Sequence, residues 1–284
     1  MLPTAANFGS IDKEMKLLIC GSAAAEALPA LFCTCPLCLK AQEQGGKDIR
    51  SRTAYQLGNE IRIDCGPDMF YHMIKYRLRY DLLRDLVITH NHRDHFYPEE
   101  LYNRCPGMSK VPAEAVLRII SSQTVLDEIR KAPQSERANL TFEVVRHGSK
   151  VMLHNGIELT ALQADHGAPD SLFYAFRAPG FSVLIANDTG YFPSQSWELL
   201  KAFSFDAVIA DCCFMHRDHR DKHMGGESFV ECLKELRRQG CLKENARLIA
   251  NHFSHNPNLS HAELCAWLEP LGIEVGYDGM EIEL

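Results

Sequence analysis

The feature that most constrains this chain is the apolar run Leu86-Val87-Ile88-Thr89, followed at once by His90-Asn91-His92-Arg93-Asp94-His95. A strand apolar enough to be buried delivers three histidines and a carboxylate to its carboxyl end, where the chain turns and side chains converge. Neutral imidazole is the commonest metal ligand, and a carboxylate adds the charge that holds a dication. The two-residue spacing of His90 and His92 points both rings the same way from an extended segment. Asp94 and His95 diverge as the chain turns, and can serve a second ion a few ångströms away. The competing reading is a solvated loop that happens to be rich in histidine. Four ligand-type residues in six positions, directly after an apolar strand, argue against it.

A centre of this kind needs further ligands, and position screens them. His166 follows the apolar segment Glu158–Gln163, Asp188 follows Phe181–Ala186, and His252 follows Arg247–Asn251. Singly, each would read as a cap or a loop residue. Their recurrence at three strand ends makes them candidates for the same edge.

Period-two and fully apolar patterns predict further strands at Lys16–Cys20, Thr53–Leu57, Ile61–Cys65, Phe142–Arg146, Leu172–Arg177 and Ala207–Asp211. Gly58-Asn59 and Ala178-Pro179-Gly180 predict hairpin turns between neighbouring strands. Helical spacing occurs at Asp68–Arg79, Thr124–Lys131, Glu227–Arg238 and His261–Leu268, the last with Ser260 as N-cap. Several strands are apolar almost throughout, so both sheet faces need cover. The expectation is a layered α/β architecture of mixed sheets between helices. No repeat, low-complexity tract or linker interrupts it, and residues 1–284 read as one domain.

Composition narrows the function classes. Lys and Arg number 30 against 37 Asp and Glu, a net charge of −7. That balance disfavours a duplex-binding protein, whose affinity rests on cations neutralising phosphates, but permits a locally positive site for a small anion. The N-terminus shows no basic segment ahead of an apolar stretch, and no run is long and apolar enough to span a bilayer. Together with 11 cysteines, an odd and mostly scattered set, this predicts a reduced, cytoplasmic protein without membrane contact.

Three of those cysteines are not scattered. Cys33, Cys35 and Cys38 form C-x-C-x-x-C, three thiols in six residues, which suits a tetrahedral zinc site wanting a fourth ligand. Cys35-Pro36-Leu37-Cys38 also has the spacing of a redox pair, with one thiol acidified if it opens a helix. The third cysteine and the absence of a thioredoxin-type βαβ context weigh against that reading. Plain core thiols are the remaining alternative.

H-x-H-x-D-H after a strand resembles the signature of the metallo-β-lactamase fold superfamily. Added to it, the cysteine cluster, His252-Phe253-Ser254-His255 and the tail Tyr277-Asp278-Gly279-Met280 are similar to the PhnP-like phosphodiesterase branch. The resemblance extends over nearly the whole chain. It implies a four-layer αβ/βα sandwich of two mixed sheets flanked by helices. It implies one ion held by His90, His92 and His166, another by Asp94, His95 and His252, with Asp188 between them, and structural zinc on Cys33, Cys35, Cys38 and His255. Catalytic roles fall to Asp94 and to His223, which matches the family's general acid in the polar loop His216–Gly226.

The implied activity is hydrolysis of a small phosphodiester, cyclic ones included, by hydroxide generated at two divalent metals, zinc or manganese or iron. Two dications against Asp94, Asp188 and hydroxide leave a charge of about +1, suited to a monoanionic diester. A homodimer is implied as well. Lactone or thioester hydrolysis on the same centre is a rival, since fold does not fix substrate. So is a non-hydrolytic relative of the pyrroloquinoline-quinone assembly protein, although that branch departs from the H-x-H-x-D-H pattern kept whole here. His72, His147, His154 and His261 read as surface or partly buried residues, and Arg104–Gln134 as a pocket-shaping segment.

Overall fold

The computed structural model describes residues 15–131 and 135–284. Residues 1–14, and with them most of the N-terminal stretch screened for a leader, lie outside the described residues, as do the last residues of the Arg104–Gln134 segment.

Fourteen short, largely apolar segments form two seven-stranded sheets. The first contains β1 (Lys16–Gly21), β2 (Ala54–Leu57), β3 (Ile61–Ile63), β4 (Asp85–Val87), β5 (Leu117–Ser121) and β6 (Leu140–Val144). The second contains β7 (Lys150–Met152), β8 (Glu158–Gln163), β9 (Leu172–Ala178), β10 (Phe181–Ala186), β11 (Phe205–Asp211), β12 (Leu242–Asn251) and β13 (Glu274–Val275). The last strand, β14 (Met280–Glu283), returns to the first sheet beside β1. Sheet orders are β14-β1-β2-β3-β4-β5-β6 and β13-β12-β11-β10-β9-β8-β7. The first has three antiparallel pairings followed by three parallel ones, and the second has the same pattern read from its β7 edge. The sequence shows no repeat, yet the two sheets share one pairing pattern. The β2–β3 and β9–β10 hairpins turn where expected, at Gly58 and Gly180, both with positive φ.

Strand alternation assigns the layers. Leu17, Ile19, Tyr55, Ile61, Ile63 and Val87 of the first sheet meet Leu159, Tyr174, Phe176, Val183, Ile185, Ile209 and Ile249 of the second in one buried cluster. The next residues along the second sheet, among them Phe173, Leu184 and Val208, face the helices α4 (Ser194–Leu200), α5 (Gly226–Arg238) and α6 (His261–Leu268). On α5, Phe229, Cys232, Leu233 and Leu236 recur at helical spacing and are buried. The outer face of the first sheet is covered mainly by α3 (Gln123–Lys131), through Val125, Leu126 and Ile129. Each such aliphatic or aromatic side chain contributes about 1.5–3 kcal/mol on burial. Two further helices, α1 (Pro36–Gln44) and α2 (Met69–Tyr76), complete the set among the described residues. Helix, sheet, sheet and helix are therefore stacked as the sequence pattern requires. Ser260 caps α6 in a full capping box with Glu263.

The sequence reading misses α1, α4, β5, β7, β13 and β14, and shifts β6 by two residues. One histidine is also corrected. His72 is 1% exposed, because its ring joins a buried chain in which Arg62 Nη2 donates to His72 Nδ1 (2.9 Å) and His72 Nε2 meets Ser51 Oγ (2.7 Å).

Two tyrosines tie the sheets together below the ligand-bearing edge. The buried Tyr55 hydroxyl on β2 accepts from Asn187 and from Asn251 (2.8 Å), the residues just before Asp188 and His252. From β9, the Tyr174 hydroxyl donates to the Ile88 carbonyl (2.8 Å), two residues before His90. Strand ends from both sheets are thus held against one another where the ligands emerge.

Candidate metal centre

The structure brings every histidine and aspartate singled out at a strand end to one edge of the sandwich. Ligand atoms of His90, His92 and His166 lie within 4.8 Å of one another, and so do those of Asp94, His95, Asp188 and His252. His92 Nδ1 is 3.0 Å from His166 Nε2, and His252 Nε2 is 2.7 Å from Asp188 Oδ1. Asp188 Oδ2 also meets His95 Nε2, and lies 3.4 Å from His90 Nε2. Asp188 therefore stands between the two groups.

These residues fit a pair of metal ions. His90 Nε2, His95 Nε2, His252 Nε2 and Asp188 Oδ1 are buried, yet none makes a hydrogen bond of acceptable geometry. Buried polar atoms left so cost free energy unless something else satisfies them. Converging lone pairs of nitrogen and carboxylate oxygen are what coordination to a cation uses.

The far sides of the rings are held by partners that fix which nitrogen faces inward. His95 Nδ1 donates to Asp64 Oδ2 (2.7 Å), and His90 Nδ1 is bound by Thr89 Oγ1 (2.9 Å), itself a donor to Asp64. His166 Nδ1 donates to the Lys222 carbonyl (3.1 Å). Asp64, Asp188 and His252 all follow strands in the left-handed backbone region, with φ of 64°, 51° and 62°. Non-glycine residues are uncommon there, and such strain gathers at functional sites. Gly66 lets the histidine loop approach: a Cβ there would lie 2.0 Å from the Asp94 carbonyl oxygen.

Electrostatics follow from crowding. Burial, aided by His95, holds His90 well below the usual histidine range, so its ring is neutral. Burial opposes charge on His95, but Asp188, Asp94 and Asp64 prevail and hold it well above. Burial opposes charge on Asp188 too, and His252 and His95 overcome it and hold the carboxyl far down.

His223 lines the pocket that these residues share, packed against His166 and His252. Its Nδ1 donates to Asp211 Oδ2 (2.8 Å), and its ring stacks on His252 at 5.4 Å. Asp211 is fully buried and also accepts from the backbone N–H groups of Cys213 and Met224. Burial disfavours the charged ring, yet Asp211 and then Asp188 outweigh it and raise His223 above its ordinary value. The cavity in front measures about 230 Å³ and is lined by His92, Asp94, His166, Asp188, His223 and His252, with Glu26 on the far wall. Neither His216 nor His219 lines it. Among the described residues of Arg104–Gln134, none lines this cavity, while Ser122 and Gln123 line a neighbouring one.

Sequence reading missed Asp64, Asp211 and Cys213. A signal existed for two of them: each aspartate closes an apolar strand, Ile61-Arg62-Ile63-Asp64 and Ala207-Val208-Ile209-Ala210-Asp211, as Asp188 nearly does. Cys213 sits within reach of His223 and His252, with its thiol pushed up to about 11 by burial.

A second cluster stands apart. His255 Nδ1 lies 3.7, 3.5 and 3.5 Å from the sulfurs of Cys33, Cys35 and Cys38. A tetrahedral zinc with Zn–S of about 2.3 Å and Zn–N of about 2.0–2.1 Å would set such distances at roughly 3.6 Å. Cys35 is the N-cap of α1. Burial raises its thiol, but the Cys38 backbone N–H and His255 prevail and bring it down to about 6. That acidity would serve a redox pair or a metal thiolate. Equal distances from three sulfurs to one imidazole nitrogen favour the metal.

Two mixed sheets with a histidine–aspartate cluster at their common edge define the metallo-β-lactamase sandwich, a fold of metal-dependent hydrolases. The chain belongs to the β-lactamase superfamily: the sequence model described as "Beta-lactamase superfamily domain" matches residues 59–253. Among solved structures, it is similar to a diphosphatase from the PhnP family at 20% identity and TM-score 0.75, covering 95% of this chain and 97% of that one. Zinc-bound PqqB from Methylobacterium extorquens is similar at 14% identity and TM-score 0.75, with 95% and 100% covered. Human tRNase Z, short form, is similar at 16% identity and TM-score 0.64, with 94% and 98% covered. At these identities the likeness is one of fold. No curated protein matches the chain in sequence. Among the described residues, no helix is long and apolar enough to cross a membrane.

Proposed function

We propose that the chain is a dinuclear metal-dependent hydrolase of small phosphodiesters, from the PhnP-like branch of its superfamily. His90, His92 and His166 would hold one divalent ion, Asp94, His95 and His252 the other, and Asp188 both. Cys33, Cys35, Cys38 and His255 would hold a structural zinc. The observation that carries the reading is the convergence of seven ligand-type side chains, six of them buried or half-buried and several otherwise unpartnered, on an open pocket.

When bound, a pair of zinc, manganese or iron ions supplies charge for a phosphoryl oxygen and acidifies water near neutral pH. The chain's own residues do the rest. Asp64 and Thr89 orient His95 and His90. His223, held by Asp211 through Nδ1, turns Nε2 towards the pocket and donates a proton from it to the departing alkoxide oxygen. The bond from phosphorus to that oxygen breaks as the oxygen of water joins phosphorus, one proton of that water passes to solvent, and the alcohol leaves neutral. Asp94 and Asp188 leave a pair of dications with surplus positive charge, which favours a monoanionic diester over a neutral lactone or thioester. A reducing, cytoplasmic setting and a homodimer are part of the same reading.

The test is metal analysis of purified protein alongside hydrolysis of bis(p-nitrophenyl) phosphate, a lactone and a thioester. Three metals per chain with diester turnover are expected. Lactone turnover alone would overturn the substrate assignment, and intact metals without any turnover would favour the PqqB-like alternative.

A further inference from the structure

Of the eleven cysteines, only Cys33, Cys35 and Cys265 are partly exposed. Cys265 faces His261 Nε2 at 3.5 Å. Cys33 and Cys35 instead share one cluster with the buried Cys38, its ligand atoms all within 4.8 Å of one another. Beside it the turn Ala30–Cys33 presents Leu31 and Phe32, 73% and 101% exposed. The cluster packs on a small core of its own, Leu28, Ala30, Leu37 and Ala41, separate from the two that hold the sheets together. A change of state there can loosen this corner while the sandwich stays folded.

Holding zinc does not exhaust what these thiols can do. A cysteine that binds zinc does so as the thiolate, which is also the nucleophilic form. Cys35 joins that state to solvent access, and it is the N-cap of the nine-residue α1, where a helix favours negative charge. Cys38 lies in the first turn of the same helix, at the C-x-x-C spacing of a redox pair. Its sulfur is buried, so it meets the Cys35 sulfur more readily than it meets a dissolved oxidant.

We propose that Cys35 and Cys38 are a reversible oxidation site for a small peroxide, and that their disulfide releases the structural zinc and slows the hydrolase. The proposal rests on the zinc and hydrolase readings above and adds regulation to them. The Cys35 thiolate attacks one oxygen of hydrogen peroxide: the S–O bond forms, the O–O bond breaks, and hydroxide leaves and is protonated. The Cys38 thiolate then attacks the Cys35 sulfur, forming the S–S bond and expelling a second hydroxide, which also takes a proton from solvent. Two electrons pass from sulfur to peroxide, and two waters form. Cys33 and His255 are then the only ligand groups left, too few for a tetrahedral site.

The path to the candidate metal centre is short. Leu37 N–H, in the first turn of α1, donates to Asn258 Oδ1 (3.2 Å), and His255 Nε2 lies 3.9 Å from Glu26, which lines the pocket. His255 follows three residues after His252, whose positive φ depends on support from its surroundings. Oxidation withdraws part of that support.

The experiment treats reduced, zinc-loaded protein with hydrogen peroxide and removes the excess with catalase. Zinc release to a chromophoric chelator, the disulfide map by mass spectrometry, circular dichroism and turnover of bis(p-nitrophenyl) phosphate are then followed. A Cys35–Cys38 disulfide is expected, with zinc lost in step, turnover about tenfold lower and an unchanged far-ultraviolet spectrum. Dithiothreitol with added zinc should restore both zinc and turnover. A disulfide between other cysteines, zinc retained after Cys35–Cys38 forms, turnover unaffected by it, parallel unfolding, or failure to recover on reduction overturns the proposal. Absence of thiol-bound zinc before oxidation would instead sink the structural-zinc reading; slowed turnover on disulfide formation, or its lack, then decides the oxidation site alone. If the reduced protein hydrolyses no diester, the phosphodiesterase reading fails, and zinc release with the disulfide map decides the site.

Discussion

Acid should unfold this protein through His72, by an amount that can be worked out. The ring is buried beneath β1 and β2, with Arg62 donating to its Nδ1 and Ser51 at its Nε2. Ser51 in turn donates to Asp278 (2.6 Å), while Lys75 and Tyr76 lie on the same helix as the ring. Burial, then the charges of Arg62 and Lys75, lower the His72 pKa to about 2. The unfolded ring takes up a proton below about pH 6.5, and the folded ring refuses it until far lower. Protons therefore favour the unfolded chain throughout that window, and stability falls as pH falls. Between pH 7 and pH 5 the loss from this one group is about 2 kcal/mol, because the folded ring stays neutral across the whole range. Urea unfolding of metal-loaded protein at pH 7, 6 and 5 measures it, with His72→Gln as reference. Glutamine can accept from Arg62 and donate to Ser51 but does not titrate. The wild type should lose about 2 kcal/mol more than the variant over this range. Parallel pH profiles for the two proteins would refute a neutral, buried His72.

Two further outcomes test the metal sites. His223→Ala should lower turnover of an alkyl diester by roughly 10²–10⁴-fold while metal content stays intact; loss of metals with activity would make His223 a ligand. Cys33→Ser should remove one metal of the three, as counted by elemental analysis, and lower the thermal midpoint, because structural zinc contributes directly to folding; full metal content in that variant would defeat the structural site.

The candidate ligand set was legible because residue types suited to coordination leave a local trace at a strand end. An apolar run stops, and a histidine or aspartate follows within three residues, as with His90, His166, Asp188 and His252. Supporting residues leave a weaker one. Asp64 and Asp211 sit at strand ends as well, but a lone aspartate there reads as a turn residue, and only the fold brings His95 and His223 to them. Tyr55 left no trace at all: its hydroxyl works across 132 and 196 residues of chain, onto Asn187 and Asn251. His72 was misread for a related reason. It lies in a helix whose Phe70, Tyr71 and Ile74 are exposed, so the helical pattern alone gives no hint that a polar ring between them is the buried one. Helix α1 was hidden because it opens on Pro36 inside the cysteine cluster, although proline at the first helical turn is compatible with a helix start.

The two clusters are coupled through four residues. His252 leaves β12 towards the candidate metal centre, and His255 reaches the three thiols. Between them the backbone is clamped on both sides. Phe253 N–H donates to the Ser22 carbonyl (3.0 Å), Ala24 N–H to the Phe253 carbonyl (3.0 Å), and Ser254 N–H to the Cys213 carbonyl (3.2 Å). Glu26 accepts from the Ser254 hydroxyl and from Asn256 Nδ2 (3.2 Å), and it also lines the pocket in front of the candidate metal centre. His252 holds a backbone conformation with φ of 62° that an isolated histidine avoids. The cysteine loop, the segment 22–26 and the β11 end thus together hold His252 in a geometry its own residue type would not choose. A zinc on the thiols would brace a ligand of the catalytic pair without touching substrate, so folding free energy at one cluster becomes positional order at the other.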